Sequence, residues 1–224
     1  MSLVTPSSVE KLQKALHAKA KEEPGFRFYQ LYDKIYRADI LEFAYRQCRS
    51  NKGAPGVDQV TFEQIESECR EQWLGKLAEE LRQKTYMADP VRRVWIPKVN
   101  GKQQRPLGIP TIRDRVVQTA AVLVLEPIFE TDLQPEQYAY RRNRNAHDAI
   151  RHVHRLVNTG HDEVVDADLS GYFDTIPHVE LMRSVARRIS DRHLLAVALE
   201  PLHASLSAGM ESTRASKPVE GAHR

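Results

Sequence analysis

Residues 96–115 read Ile-Pro-Lys-Val-Asn-Gly-Lys-Gln-Gln-Arg-Pro-Leu-Gly-Ile-Pro-Thr-Ile-Arg-Asp-Arg and contain the change of periodicity that decides the fold class. Asn100-Gly101 stands between two apolar runs, which is the strongest short-range signal of a β-hairpin. We therefore expect strands over residues 91–97 and 107–110. A broad apolar helix is expected directly after the second strand, so the pattern indicates an α+β protein.

On both sides of the hairpin, apolar residues recur at helical spacing. Upstream, the pattern predicts helices over residues 7–23 (with Ser8 as a possible N-cap), 28–49 and 71–84, and a Gly- and Pro-rich loop over 51–58. Downstream, it predicts a helix opened by Thr111 and Asp114, a helix capped by Asn145 and Asp148, and a helix after Pro177. Residues 163–169 have the pattern of a buried strand.

The composition of the 224 residues excludes several classes of protein. The two cysteines, Cys48 and Cys69, form no CxxC motif, which excludes a zinc finger and argues against a disulfide framework. The N-terminus has no apolar signal-peptide core, and the longest apolar run is far shorter than a membrane span. We expect a cytoplasmic protein without a membrane partner.

The formal net charge of +3 conceals an uneven distribution. Residues 90–160 carry 12 Lys and Arg against 6 Asp and Glu. Five of these arginines lie between residues 141 and 155, beside Tyr138 and Tyr140. Cations interleaved with aromatic rings suit phosphate contacts and base stacking. The same residues also fit a solvated loop and helix face, and charge alone leaves both interpretations open.

Two short patterns suggest chemistry. A hairpin with Lys98 on one strand and Arg105 on the other can bring two cations to one anion, such as a triphosphate. Further on, Asp166 and Asp168 fall on one face of the predicted strand. Carboxylates at the end of a strand are the oxygen ligands that Mg²⁺ prefers, although they also fit strand-end caps in solvent.

Four blocks of the sequence, in order, resemble those of group II intron-encoded reverse transcriptases of the maturase type. Asn51–Asp58, with the Tyr36-Arg37 that precedes it, resembles the N-terminal extension block, and Ile96–Arg115 the first fingers block. The second fingers block is matched by Tyr138–Arg141 together with Asn145–Ile150. The first palm motif is matched by Asp166–His178. The second fingers block departs from the family pattern Gly-Phe-Arg-Pro-Gly-Arg-Ser at Ala139–Asn145.

The resemblance implies a right-hand polymerase fold and two-metal nucleotidyl transfer with Mg²⁺. It implies that Asp168 is the first catalytic carboxylate, that the Leu169 carbonyl also binds the metal, and that Asp166 is structural. It implies that Lys98, Arg105 and Phe173 bind the incoming nucleotide. The residues implied at the RNA template are Lys52, Gly53, Arg141, Arg142 and Arg144. The implied partners are a template or intron RNA, a DNA primer and deoxynucleoside triphosphates.

The resemblance also implies a division of the chain. Its parts are a helical N-terminal extension (1–60), fingers (61–162), the start of the palm (163–196) and a divergent, disordered tail (197–224). The rest of the palm and the thumb are expected to be missing. No Asp-Asp pair occurs in the sequence, and a single carboxylate cannot organise two Mg²⁺ ions. The chain is therefore expected to be a truncated polymerase, inactive alone, whose tail comes from a frameshift or a premature stop. A residual RNA-binding module and a degenerate gene product that folds poorly are the alternatives.

Overall fold

The fold is described from a computed structural model over residues 3–97, 104–161, 163–169 and 175–197. In chain order its elements are α1 (Ser7–Glu22), α2 (Tyr32–Ile35), α3 (Ala38–Ser50), α4 (Phe62–Ser67), α5 (Arg70–Gln83), β1 (Arg92–Pro97), β2 (Gln104–Ile109), α6 (Ile112–Phe129), α7 (Ala146–Asn158) and α8 (His178–Ala186). A 3₁₀ turn, Glu130–Asp132, follows α6. This mixture of helices and one hairpin confirms the α+β class over the described residues.

Helix α6 is the centre of the hydrophobic core. Its side chains Val116, Val117, Ala120 and Val124 are fully buried, and α1 and α3 pack against it. These two helices belong to the predicted N-terminal extension, whereas α6 belongs to the predicted fingers. The boundary expected at residue 60 therefore crosses a single continuous core.

A proline within α6 links that helix to α1. Pro127 has no N–H, so the carbonyl of Leu123 has no donor inside its own helix. The side-chain amide of Gln13 in α1 donates to that carbonyl, with Nε2 and O 3.0 Å apart. The contact supplies the missing hydrogen bond and fixes α1 on α6 at this point.

The hairpin forms as the sequence predicts. Strands β1 and β2 are antiparallel, and the register pairs Arg92 with Ile109 and Pro97 with Gln104. The predicted Asn100-Gly101 turn lies outside the described residues. At the end of β2, the hydroxyl of Thr111 caps α6 by accepting from the N–H of Asp114.

The carboxylate of Asp114 does more than the predicted capping pair requires. It is fully buried and accepts hydrogen bonds from the hydroxyls of Tyr86 (2.7 Å) and Thr111 (2.8 Å) and from the N–H of Asp89 (3.1 Å). Burial raises the pKa of Asp114, and these donors oppose the rise. The residue thereby fastens the segment before β1 to the start of α6.

Two residues after α8 attach the end of the described chain to the core. The buried Arg188 donates to the carbonyl of Ala20 and pairs with Asp132 at 3.2 Å. The buried Asp191 accepts from the N–H groups of Leu31 and Tyr32, both at 2.8 Å, and thereby caps α2. Phe28 and Ile189 also form a parallel β-bridge. Residues 188–191 thus belong to the same core as α1 and α6.

Several local predictions need correction. The helix expected over residues 28–49 is divided into α2 and α3, which are separated at Tyr36 and Arg37. Helix α1 begins at Ser7 after Pro6, so Ser8 is not its N-cap. Helix α4 has a full capping box between Thr61 and Gln64 that the sequence reading missed. Among the described residues, no helix has the length and apolar character to cross a membrane.

The largest error is the buried strand expected over residues 163–169. These residues are exposed and have no regular secondary structure, and Val165 is 95% exposed. A strand requires a hydrogen-bonded neighbour, and the one sheet of the described residues consists of β1 and β2 alone. The run of apolar residues is present in the sequence, but no strand of the described residues lies beside it to form a sheet.

Candidate nucleic-acid interface

The first candidate site is the hairpin. The register places Arg105 opposite Ile96. The next pair toward the turn is Pro97 with Gln104, where the two strands end. Lys98 lies outside the described residues, and so does the side chain of Arg105. The proposed pairing of these two cations around a triphosphate therefore stays a prediction.

The second candidate site is the loop over residues 51–58. Lys52 is exposed and takes a positive φ of 49°, and Gly53 is exposed beside the guanidinium of Arg115. Arg115 donates to the Ala54 carbonyl at 2.6 Å. A Cβ on the buried Gly56 would lie 2.6 Å from the Thr111 Cα, so only glycine fits there. The loop is thus held against the start of α6.

Arg115, near the start of α6, is the contact of this loop that sequence reasoning missed. Its guanidinium also lies over the Phe62 ring, 5.8 Å from the centroid, and burial lowers its pKa. The residue joins three segments that are separate in sequence, and its position in the first fingers block was the only signal that marked it. Arg115 thus holds the backbone next to Lys52 and Gly53 against the start of α6.

The third candidate site is the basic segment after α6, where the arginines have different environments. The Arg141 side chain is only 9% exposed, pairs with Glu130, and donates to the carbonyls of Gln134 (2.7 Å) and Gln137 (3.1 Å). These contacts give Arg141 a structural role in holding the loop. Its predicted contact with the template is not tested by them.

Arg142 and Arg144 are more accessible than Arg141. Arg142 pairs with Glu126 at 2.7 Å, and burial raises the pKa of that carboxyl while Arg142 opposes the rise. The Arg144 guanidinium lies over the ring of Tyr138, 5.4 Å from its centroid. Arg144 forms no ion pair with a carboxylate in the described part of the chain, so its N–H groups are available to an anion.

The last candidate site is the acidic segment. Asp166, Asp168 and Leu169 are exposed, and Leu169 retains 71% of its accessible surface. Phe173 lies outside the described residues. Across the four described ranges, no group of three or more His, Cys, Asp or Glu side chains is arranged to hold a metal ion. Arg141, Arg142 and Arg144 therefore make defined contacts, whereas Asp168 stands in an exposed, irregular stretch.

Comparison with known proteins identifies the family. Residues 96–217 match the family model for reverse transcriptase (RNA-dependent DNA polymerase), a match that continues past residue 196 into the predicted tail. Over 202 residues the chain is 39% identical to protein YkfC of Escherichia coli strain K12, covering 88% of this chain and 52% of that protein.

Relatives named for introns are also similar to the chain. The chain is 36% identical over 166 residues to the group II intron-encoded protein LtrA of Lactococcus lactis, covering 73% of this chain and 27% of that protein. It is 30% identical over 168 residues to the putative COX1/OXI3 intron 1 protein of Saccharomyces cerevisiae, covering 74% and 19%. The chain thus spans about half the length of YkfC and a smaller share of the other two relatives. It belongs to the reverse transcriptase family, within the group II intron reverse transcriptases and maturases.

Proposed function

We propose that this chain is the RNA-binding, N-terminal part of a group II intron-type reverse transcriptase, comprising fingers and the start of the palm. The observation that carries the proposal is the group of exposed arginines over 141–155, where the Arg144 guanidinium lies over the Tyr138 ring. The exposed Lys52 adds a cation in the loop over 51–58, which Arg115 holds against α6. Family membership supports RNA as the partner of these residues.

Within this proposal, Asp168 is the first catalytic carboxylate. Its exposed carboxylate and the carbonyl of Leu169 are hard oxygen donors, which fit Mg²⁺, a cation that usually keeps several waters and takes one or two carboxylates from a protein. When bound, the metal would supply charge neutralisation at the reacting phosphates. This chain's own contribution is the Asp168 carboxylate together with cations that orient the template and the nucleotide.

We further propose that DNA synthesis requires a polypeptide that carries the remaining palm carboxylates. The 224 residues contain no Asp-Asp pair, and the described stretch 163–169 offers the carboxylates of Glu163, Asp166 and Asp168. A primer-extension assay on an RNA template, with Mg²⁺ and the four deoxynucleotides, tests the point. The expected result is no incorporation by the chain alone. Incorporation that Asp168→Asn abolishes would contradict the proposal.

RNA binding is the positive test of the proposed function. The chain should bind an unstructured RNA strand with an affinity that falls as salt rises, because each neutralised phosphate releases counterions. Fluorescence anisotropy with labelled oligouridylate measures both the affinity and its salt slope. Undetectable binding at low salt, or binding independent of salt, would reject the RNA-binding proposal and favour a degenerate product.

A further inference from the structure

A polar cleft separates the loop after α6 from one face of α7. It encloses about 370 Å³, and its wall includes Tyr138, Arg144, Arg151, His152 and Arg155. Three arginines from two elements therefore border one cavity. Of these, only Arg144 is among the residues that the resemblance implies at the RNA template.

The wall of the cleft is fixed by contacts among its own side chains. The Tyr138 hydroxyl and His152 Nδ1 are 2.8 Å apart, and the two rings meet edge to face. The Arg144 guanidinium covers the Tyr138 ring. Tyr138 thus orders one side chain from the loop and one from the helix, which reduces the entropy lost when a ligand is bound.

The cations of the cleft exceed what its carboxylates neutralise. Asp148 uses one oxygen to accept from Arg151, at 2.7 Å, and the other to accept from the N–H of Asn145. Glu136 is the remaining acidic side chain of the wall. Within the described residues, neither Arg144 nor Arg155 has an ion-pair partner. Two guanidinium groups therefore face the cleft region with unmatched donor forks.

We propose that this cleft binds a backbone phosphate of single-stranded RNA through Arg144 and Arg155. The guanidinium fork matches two phosphate oxygens, which makes arginine better suited than lysine to this ligand. The cleft of about 370 Å³ has room for a phosphate together with part of the adjoining nucleotide. The inference rests on the proposed function and assigns to RNA a place formed by α7 and Tyr138.

The experiment measures anisotropy of labelled oligouridylate over a series of salt concentrations. Arg155→Gln and Arg144→Gln should each weaken binding roughly three- to tenfold and lower the salt slope by about 0.7. Arg155→Lys keeps the charge and loses the fork, so it should fall between wild type and Arg155→Gln. The matched control is Arg192→Gln, which removes one exposed arginine outside the cleft.

Each outcome decides the inference. Equal losses in Arg155→Gln and Arg192→Gln would show an effect of total charge only and would overturn it. Binding by wild type with no loss in either cleft variant would overturn the cleft while the proposed RNA binding stands. No binding by wild type would reject both. Thermal melts of all variants by circular dichroism should coincide with wild type, because Arg144, Arg155 and Arg192 are all exposed.

A second arm separates RNA from a free nucleotide. Unlabelled RNA should displace the probe at concentrations where UTP does not. A strand contacts the protein through several phosphates, whereas UTP makes contacts only within the cleft. If UTP displaces RNA from wild type but not from Arg155→Gln, the occupant is a free triphosphate, and the assignment to RNA is wrong.

Discussion

At the scale of single residues, Asp191 shows how one buried carboxylate can hold two distant parts of the chain together. Burial favours its neutral form, but hydrogen bonds from the N–H groups of Tyr32, Leu31, Leu194 and His193 prevail and lower its pKa. The unfolded chain offers none of these donors at fixed positions. The ionised form therefore stabilises the folded state.

We predict that Asp191→Asn lowers the free energy of unfolding by about 1–3 kcal/mol at neutral pH, since an amide cannot accept all four bonds. A depressed pKa contributes stability above the ordinary value, 3.8, and loses it as pH falls through the folded value. Urea titrations should therefore show a constant difference between wild type and variant from neutral pH down to about pH 5, which narrows below pH 4. A difference that is the same at every pH would contradict the assignment.

Gly56 shows what the sequence around a single residue can and cannot predict. Two glycines and a proline within eight residues predict a loop, and residues 51–58 are one. The sequence does not reveal that Gly56 touches the backbone of Thr111, because that contact joins residues more than fifty positions apart. Residue type specifies local conformation, whereas the contact depends on how α3 and α6 pack.

At the scale of elements, the predicted helix ends were correct where the local sequence contained all the residues of a capping motif. Asn145 and Asp148 form the predicted capping box, and Gly160 ends the same helix with a φ of 95°. The missed helix α4 carries the same type of signal in Thr61 and Gln64, so it could have been found. The periodicity of residues 163–169 could not show whether they form a strand, because a strand depends on a hydrogen-bonded neighbour that periodicity does not identify.

The contact between α1 and α6 gives a prediction at this scale. Gln13→Met should lower the free energy of unfolding by about 1 kcal/mol, because the Leu123 carbonyl then loses its donor. Pro127→Ala restores an N–H that can bond that carbonyl within α6. In the Pro127→Ala background, Gln13→Met should therefore cost close to nothing.

A double-mutant cycle by urea denaturation isolates this coupling. The cycle subtracts the packing loss caused by removing the proline ring, which is common to both Pro127→Ala variants. Equal costs of Gln13→Met in the two backgrounds would mean that the amide acts through packing and not through the Leu123 carbonyl.

At the scale of the whole molecule, the core is distributed unevenly. The described elements α1, α3 and α6 each contribute several buried side chains to the core, whereas α7 has no buried residue among its apolar positions. Ile150, Val153 and Val157 share one face of α7 and are each about half exposed or more. The opposite side of the helix borders the arginine cleft. Helix α7 is thus amphipathic with its apolar face open, and the cooperative unit is expected to centre on α6.

Two isoleucines of equal chemistry test this view. Ile128 in α6 is fully buried, and Ile150 in α7 is 64% exposed. Ile128→Ala should lower the free energy of unfolding by about 2–5 kcal/mol, because it removes methylenes from a packed core and leaves a cavity. Ile150→Ala should change it by about 0.5 kcal/mol or less, since its side chain gains little from folding. Chemical denaturation followed by far-ultraviolet circular dichroism measures both.

The comparison also tests the state of the α7 face in solution. If Ile150→Ala destabilises the protein as much as Ile128→Ala, the face must be covered, and a cost that grows with protein concentration would identify a second copy as the cover. If the cost is small at every concentration, the face stays open while α6 alone supports cooperative unfolding. The degenerate, poorly folded alternative predicts neither result, because without a cooperative transition Ile128→Ala would shift no midpoint.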